Sequence, residues 1–188
     1  MRESIAVRPV YKTSYKISLS GVITSLCLLL MFLTGVFTPL GMALPLYAGL
    51  LVYVVLDELG VKWAVLTYAA VSILSFFITP NKDSSVYFAV FFGSYPILKF
   101  IFEGIHGKIF QIAAKILAFN IIIITAVTVT IYIFDINNLF EDFDFLGNYV
   151  IPILWIIANI FFLLYDYTLG AILESYLKWF KPTFLKNK

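Results

Sequence analysis

The sequence predicts an all-α integral membrane protein, a six-helix transmembrane bundle with both termini cytoplasmic, and three observations lead there. The first is composition. Of 188 residues, 62% are hydrophobic and 18% aromatic, and only 13% are charged, whereas a soluble domain carries roughly 25% charged residues. Mean hydropathy is +0.97. A core of this size cannot enclose so much apolar side chain, so a large share of it faces lipid.

The second observation is segmentation. Apolar stretches cover about 17–37, 41–56, 63–79, 86–102, 109–134 and 149–173. A spanning helix needs roughly 20 apolar residues, with a range of about 17–25, which the first, fifth and sixth satisfy outright. The second and fourth are short, and Pro45 and Pro96 are expected to break them. Turn-forming residues separate the stretches: T-P-L-G at 38–41, D-E-L-G at 57–60, T-P-N-K-D-S-S at 79–85 and E-G-I-H-G-K at 103–108. A β-barrel would alternate apolar and polar residues, and N-I-I-I-I-T-A-V does not. The chain therefore reads as one transmembrane domain over 1–188, with a basic N-terminus (1–16), six spans (17–173) and a basic tail (174–188). The apolar run after the N-terminus is long and lacks a small-residue cleavage pattern, so it reads as a retained span.

Charge is the third observation. With both ends and the loops after spans two and four in the cytoplasm, that side holds Arg2, Arg8, Lys12, Lys16, Lys62, Lys99, Lys108, Lys115, Lys178, Lys181, Lys186 and Lys188. The other side keeps Lys82 alone of the 13 basic residues. Dropping one span would scramble this positive-inside pattern. The longest outer loop, 135–148, sets Asp135, Glu141, Asp142 and Asp144 among Phe140, Phe143 and Phe145. It suits either a short amphipathic segment on the outer interface or a solvated loop.

A few polar groups fall inside the spans. Lys99 lies about three residues from the inner end of span four, roughly 5 Å deep, from where its stem can snorkel to the headgroups. Lys115 and Asp166 lie about six residues, or roughly 9 Å, from the inner ends of spans five and six. A lone carboxylate in hydrocarbon costs about 2.5–3.5 kcal/mol or more, so Asp166 is expected to have Lys115 or Lys99 as partner. The pair either fixes packing or acts as a charge switch or proton relay. On span six, Pro152, Trp155, Asn159, Asp166 and Gly170 share one broad helical face, expected to point into the bundle. Asn120 on span five lies at the depth of Asn159, and a hydrogen bond between them is expected. Lys115 is about 140° from Asn120 around helix five, so an Asn120–Asn159 contact turns Asp166 to Lys99.

Several chemistries lack their residues. The single histidine, His106, and the single cysteine, Cys27, offer no metal cluster and no disulfide framework. Asp166 alone of the aspartates lies well within a span, so an intramembrane aspartate pair is missing, as is the G-x-x-x-x-G-K-[ST] phosphate loop. Ser72 and Ser75 have no base in reach and serve helix contacts. A net charge of +2, with cations at membrane edges, argues against nucleic acid. No enzyme activity, cofactor or metal is expected.

In the first span, S-L-S-G-V-I-T-S places Ser18, Gly21 and Ser25 at small-residue spacing, where another helix can approach closely, from this chain or from a separate membrane protein. The run from this stretch through T-P-L-G-M-A-L-P-L-Y-A-G-L-L-V-Y-V-V-L-D-E-L-G-V-K-W-A-V-L-T-Y-A-A-V-S-I-L-S resembles the front half of an S component, the substrate-capture subunit of energy-coupling factor transporters. The likeness covers residues 17–79 in pattern and the remainder in architecture. F-F-G-S-Y-P-I-L-K also resembles a group of six-span proteins from Gram-positive bacteria, a likeness that transfers no function. The S-component resemblance implies docking of the first helix onto a transmembrane coupling protein with ATPase subunits, through a patch that in that family is A-x-x-x-A and here has Gly21 and Ser25. It also implies a vitamin-like ligand in the outer half of the bundle. Tyr47, Tyr87, Thr128, Trp155 and Asn159, with Asp83 at the rim, are the candidate contacts, and for the tyrosines and Trp155 the alternative is an interfacial belt. Two other functions fit the same residues: a membrane scaffold or assembly protein, and a proton-linked carrier that depends on Asp166.

Overall fold

The computed structural model describes residues 11–105, 107–134 and 149–175. The expected interfacial segment at 135–148, His106, and the basic ends at 1–10 and 176–188 lie outside the described residues. All regular structure among the described residues is helical. Five helical runs are long and apolar enough to cross a membrane: Thr13–Leu33, Val61–Ile78, Lys82–Glu103, Lys108–Thr125 and Val150–Ile172. The chain divides into two compact units, Met1–Lys115 and Ile116–Lys188.

In the first unit, helix α1 covers Thr13–Leu33. Its hydroxyls fold back on their own helix, with Ser20 Oγ on Lys16 O (2.8 Å), Thr24 Oγ1 on Ser20 O (2.8 Å) and Ser25 Oγ on Gly21 O (3.0 Å). Such bonds satisfy a polar side chain where no water is at hand. After α1 the chain passes Gly35, where a Cβ would lie 2.5 Å from Pro80 Cγ, so glycine permits the close approach. Helix α2 follows over Ala43–Leu59. Pro45 is its third residue and does not break it, because first-turn amides have no helical partner to lose. Gly60, at φ 95°, both ends α2 and starts α3 (Val61–Ile78). That left-handed conformation strains any residue with a Cβ.

Lys82 Nζ donates to Phe76 O (2.6 Å) and Thr79 O (2.9 Å), capping the carbonyl end of α3. Helix α4 (Lys82–Tyr87) starts on Asn81, whose Oδ1 accepts from Asp83 N at 3.1 Å. A π-turn over Phe88–Phe92 then leads to α5, Tyr95–Glu103. The break in this run is thus the π-turn and not Pro96, which sits in the first turn of α5, where its fixed φ suits a helix start.

Cross-contacts give the direction of each run. Tyr11 Oη reaches Glu58 and Cys27 Sγ reaches Ala48 O, so α1 and α2 are antiparallel. Ser85 Oγ meets Ser75 O and Tyr68 Oη meets Ala89 O, so α3 and the α4–α5 run are antiparallel. Ser84 Oγ meets Gly41 O near the start of α2, which places α2 and α4–α5 side by side in the same sense. The unit is therefore an up-down-up-down array. Although α2 has only 17 residues, eight of them are buried, against three of 21 in α1. The shortest of the three long helices in this unit is its inner one, and Ala48, Val52, Val55 and Leu56 form its packed core with Cys27, Met31 and Val71.

Helix α6 covers Lys108–Phe134 and α7 covers Val150–Ser175. In the second unit Phe119 of α6 stacks on Phe162 of α7, with centroids 4.2 Å apart and planes at 12°. Large apolar side chains stand exposed on both helices, among them Leu117, Ile121, Ile156, Ile160, Phe161 and Leu164, the surface expected toward lipid.

Candidate functional site

Directions in the first unit bring the start of α1, the α2–α3 corner and the end of α5 to one end. Lys12, Lys16 and Lys62 belong to that end, as do Lys99 and, through its contact with Glu103, Lys115. Lys82 is at the other. At the basic end Tyr11 Oη donates to Glu58 Oε2 at 3.1 Å, and Glu58 is 5% exposed. Burial first, and then the Glu58 carboxylate beside it, push the Tyr11 phenol up to about 12. The phenol therefore stays a hydrogen-bond donor through the physiological range.

Lys99 and Lys115 are 4% and 7% exposed. Snorkelling of Lys99 to the surface is not what the structure shows: its Nζ lies 3.3 Å from Glu103 Oε1, one helical turn on. Lys115 Nζ lies 3.2 Å from the same oxygen. One carboxylate thus holds two ammonium groups and ties α5 to α6. Glu103 was not among the residues singled out from sequence, where 103–108 read as a loop. The i, i+4 spacing of Lys99 and Glu103 was the available signal, but lysine before glutamate is the weaker order on a helix and does not stand out.

Glu103→Gln is expected to destabilise the chain by about 1–2 kcal/mol, less than the 3–5 kcal/mol typical of breaking a fully buried pair. The discount applies because the Glu103 side chain is 41% exposed. A fall in the thermal midpoint of detergent-solubilised protein checks this; an unchanged midpoint would show that the bridge contributes nothing to stability.

In the second unit Asn120 Nδ2 donates to Asn159 Oδ1 (3.0 Å), and Asn159 Nδ2 returns a bond to Asn120 Oδ1 (3.3 Å). Each amide also donates to its own helix, Asn120 to Ile116 O and Asn159 to Trp155 O. The pair fixes the register of α6 on α7, next to the Phe119–Phe162 stack. A double-mutant cycle with Asn120→Leu and Asn159→Leu is expected to give a coupling of about 0.6–2 kcal/mol; additive single effects would dismiss the pair as glue. Asp166 stands half-buried on α7, where Phe162 and Leu169 are the well-buried neighbours.

Within the first unit the small-residue face of α1 is unfilled. Ser18, Gly21 and Ser25 are exposed. Among the described residues, and leaving aside its own helix's adjoining backbone, no heavy atom lies within 4 Å of the position a Cβ would take at Gly21. The three residues line a shallow groove of about 570 Å³ together with Ile17, Val22, Leu26 and Leu29. With Ser25 Oγ folded onto Gly21 O, the floor of the groove presents little unsatisfied polarity.

The solute-contact candidates are distributed over both units. Tyr47 on α2, Asp83 and Tyr87 on α4 belong to the first, and Thr128, Trp155 and Asn159 to the second. Tyr47 is 55% exposed, Tyr87 and Trp155 are 38% exposed, and Asp83 and Thr128 are exposed as well. Asn159 has a side-chain partner on another helix, Asn120. No protein-family model, no curated protein and no solved structure matches this chain.

Proposed function

We propose that the chain is a six-span membrane protein with both ends cytoplasmic, acting as the substrate-capture subunit of an energy-coupling-factor type importer in the cell membrane. In this reading it takes up a small vitamin-like molecule and docks through α1 onto a transmembrane coupling protein whose ATPase subunits supply the energy. The observation that carries the reading is the open face of Ser18, Gly21 and Ser25. Small residues let helix backbones approach closely, and within the first unit no neighbouring helix fills this face.

The span count is supported by α2. It runs antiparallel to α1 and side by side with the α4–α5 run, so it acts as a crossing despite its 17 residues, about 25 Å at 1.5 Å per residue. Counting it brings the five long runs to six and returns both ends to one side. The orientation follows from the gathering of lysines at the end opposite Lys82.

Purification of the full chain from its native membrane in mild detergent, followed by mass spectrometry, tests the proposal. An ATPase module and a bound small molecule should be retained together. Retention of neither would overturn it in favour of a membrane scaffold, the second reading. That alternative draws on the exposure of Tyr47, Tyr87 and Trp155, which suits a lipid-facing aromatic belt as well as a pocket.

A further inference from the structure

Lys82–Glu103 is apolar enough to cross a membrane as one run, yet its hydrogen-bond ladder changes register midway. Over Phe88–Phe92 the chain makes a π-turn, and Gly93 N–H donates to Phe88 O at 2.8 Å, five residues back. In an α-helix the same N–H would donate to Ala89 O, four residues back. That carbonyl is occupied by a group from another helix: Tyr68 Oη of α3 donates to Ala89 O at 2.6 Å. The next two carbonyls, of Val90 and Phe91, accept from Ser94 Oγ at 3.1 and 3.2 Å. Hydroxyl groups thus serve the carbonyls at the irregular turn.

The surroundings hold this turn closely. A Cβ on Gly49 of α2 would lie 2.1 Å from Phe92 O, and one on Gly93 would lie 2.7 Å from Phe88 Cζ and 2.8 Å from Tyr68 Cδ2. Glycine at both places lets the turn sit against α2 and α3. A π-turn carries an extra residue at an energetic cost and persists where its surroundings hold it. Here the competing α-register differs by one exchange of donor on one carbonyl.

We propose that the Phe88–Phe92 turn is a two-state register device in which Tyr68 Oη and the Gly93 N–H compete for the Ala89 carbonyl, and that its switch rotates α5 against α4. Removing the extra residue from the turn rotates α5 by about 100°, one residue at 3.6 residues per turn. Lys99 and Glu103 both ride on α5 and move together. Lys115 is on α6, so the Lys115–Glu103 contact at 3.2 Å is the one the rotation breaks. The phenol of Tyr68 is thereby linked to the ion cluster at the basic end, through a packed element with two discrete arrangements.

The sequence provides two single-site reporters. Phe92–Gly93 is its only Phe–Gly pair and Glu103–Gly104 its only Glu–Gly pair. Full-length protein in micelles, labelled with ¹⁵N-glycine and with ¹³C-carbonyl phenylalanine or glutamate, yields one carbonyl-filtered amide resonance for each glycine. In Tyr68→Phe a second resonance is expected at both Gly93 and Gly104, equally populated and raised roughly fivefold to tenfold over wild type, the worth of one hydrogen bond. A Gly104 resonance that stays single and unmoved, whatever Gly93 does, overturns the proposal, since loss of the hydroxyl would then act only locally. If Tyr68→Phe does not fold, relaxation dispersion of the wild-type chain decides. One shared exchange process at both glycines supports the device, and flat profiles at both overturn it.

Discussion

Gly21→Leu should leave the thermal midpoint of the purified chain close to that of wild type while removing at least about nine-tenths of any helical partner retained in mild detergent. The two halves of this expectation come from one geometric fact. Among the described residues nothing beyond α1's own adjoining backbone lies within 4 Å of a Cβ at Gly21, so a leucine there displaces no neighbouring helix within the first unit. It does fill the groove that Ser18 and Ser25 share. A helix that packs on small residues needs backbone approach, and an isobutyl group holds it off by several ångströms, enough to forfeit most of the contact energy. Quantitative mass spectrometry of partners retained by wild type and variant, beside a thermal melt of each, reads both halves. Unchanged retention would remove α1 as the docking face. A collapsed midpoint would mean that Gly21 packs within the fold.

Gly49→Ala should behave in the opposite way, lowering the midpoint although it adds one methyl group. The added Cβ would stand 2.1 Å from Phe92 O and 2.9 Å from Phe92 C. Both are backbone atoms of the π-turn and cannot swing aside as the end of a flexible side chain would. Either α2 and the turn separate, or the turn itself deforms. Overpacking of this kind costs about 1–3 kcal/mol, and for a chain of this length that is a fall of roughly 3–10 °C. Paired melts of Gly49→Ala and Gly21→Ala check the contrast. Equal midpoints would show that the α2 contact with the turn yields more easily than the packing implies.

These two glycines look alike in sequence. Gly21 lies in S-G-V-I and Gly49 in A-G-L-L, and each reads as a small residue in an apolar helix. Only the neighbours tell them apart: Phe92 lies 43 residues beyond Gly49, and no local pattern announces that contact. Glu103 was hidden in a similar way. Its position after an apolar run reads as the start of a loop, but folding brings Lys115 back to the carboxylate that already holds Lys99. The prolines misled for a related reason. Pro45 and Pro96 look like breaks, and both stand in first turns, where a missing amide has no consequence. The real irregularity, at Phe88–Phe92, is a plain aromatic run whose register is held by Tyr68, from another helix.

The sequence by itself determined that this protein is helical and apolar enough to cross a membrane several times. Each of these follows from the transfer of single groups between water and hydrocarbon, a property a residue carries wherever it is placed. The tertiary structure decided which helix lies inside, which glycine is filled and which is open, where a helix changes register and which carboxylate serves two lysines. Those are properties of pairs, and a pair has no energy until folding brings its members within a few ångströms.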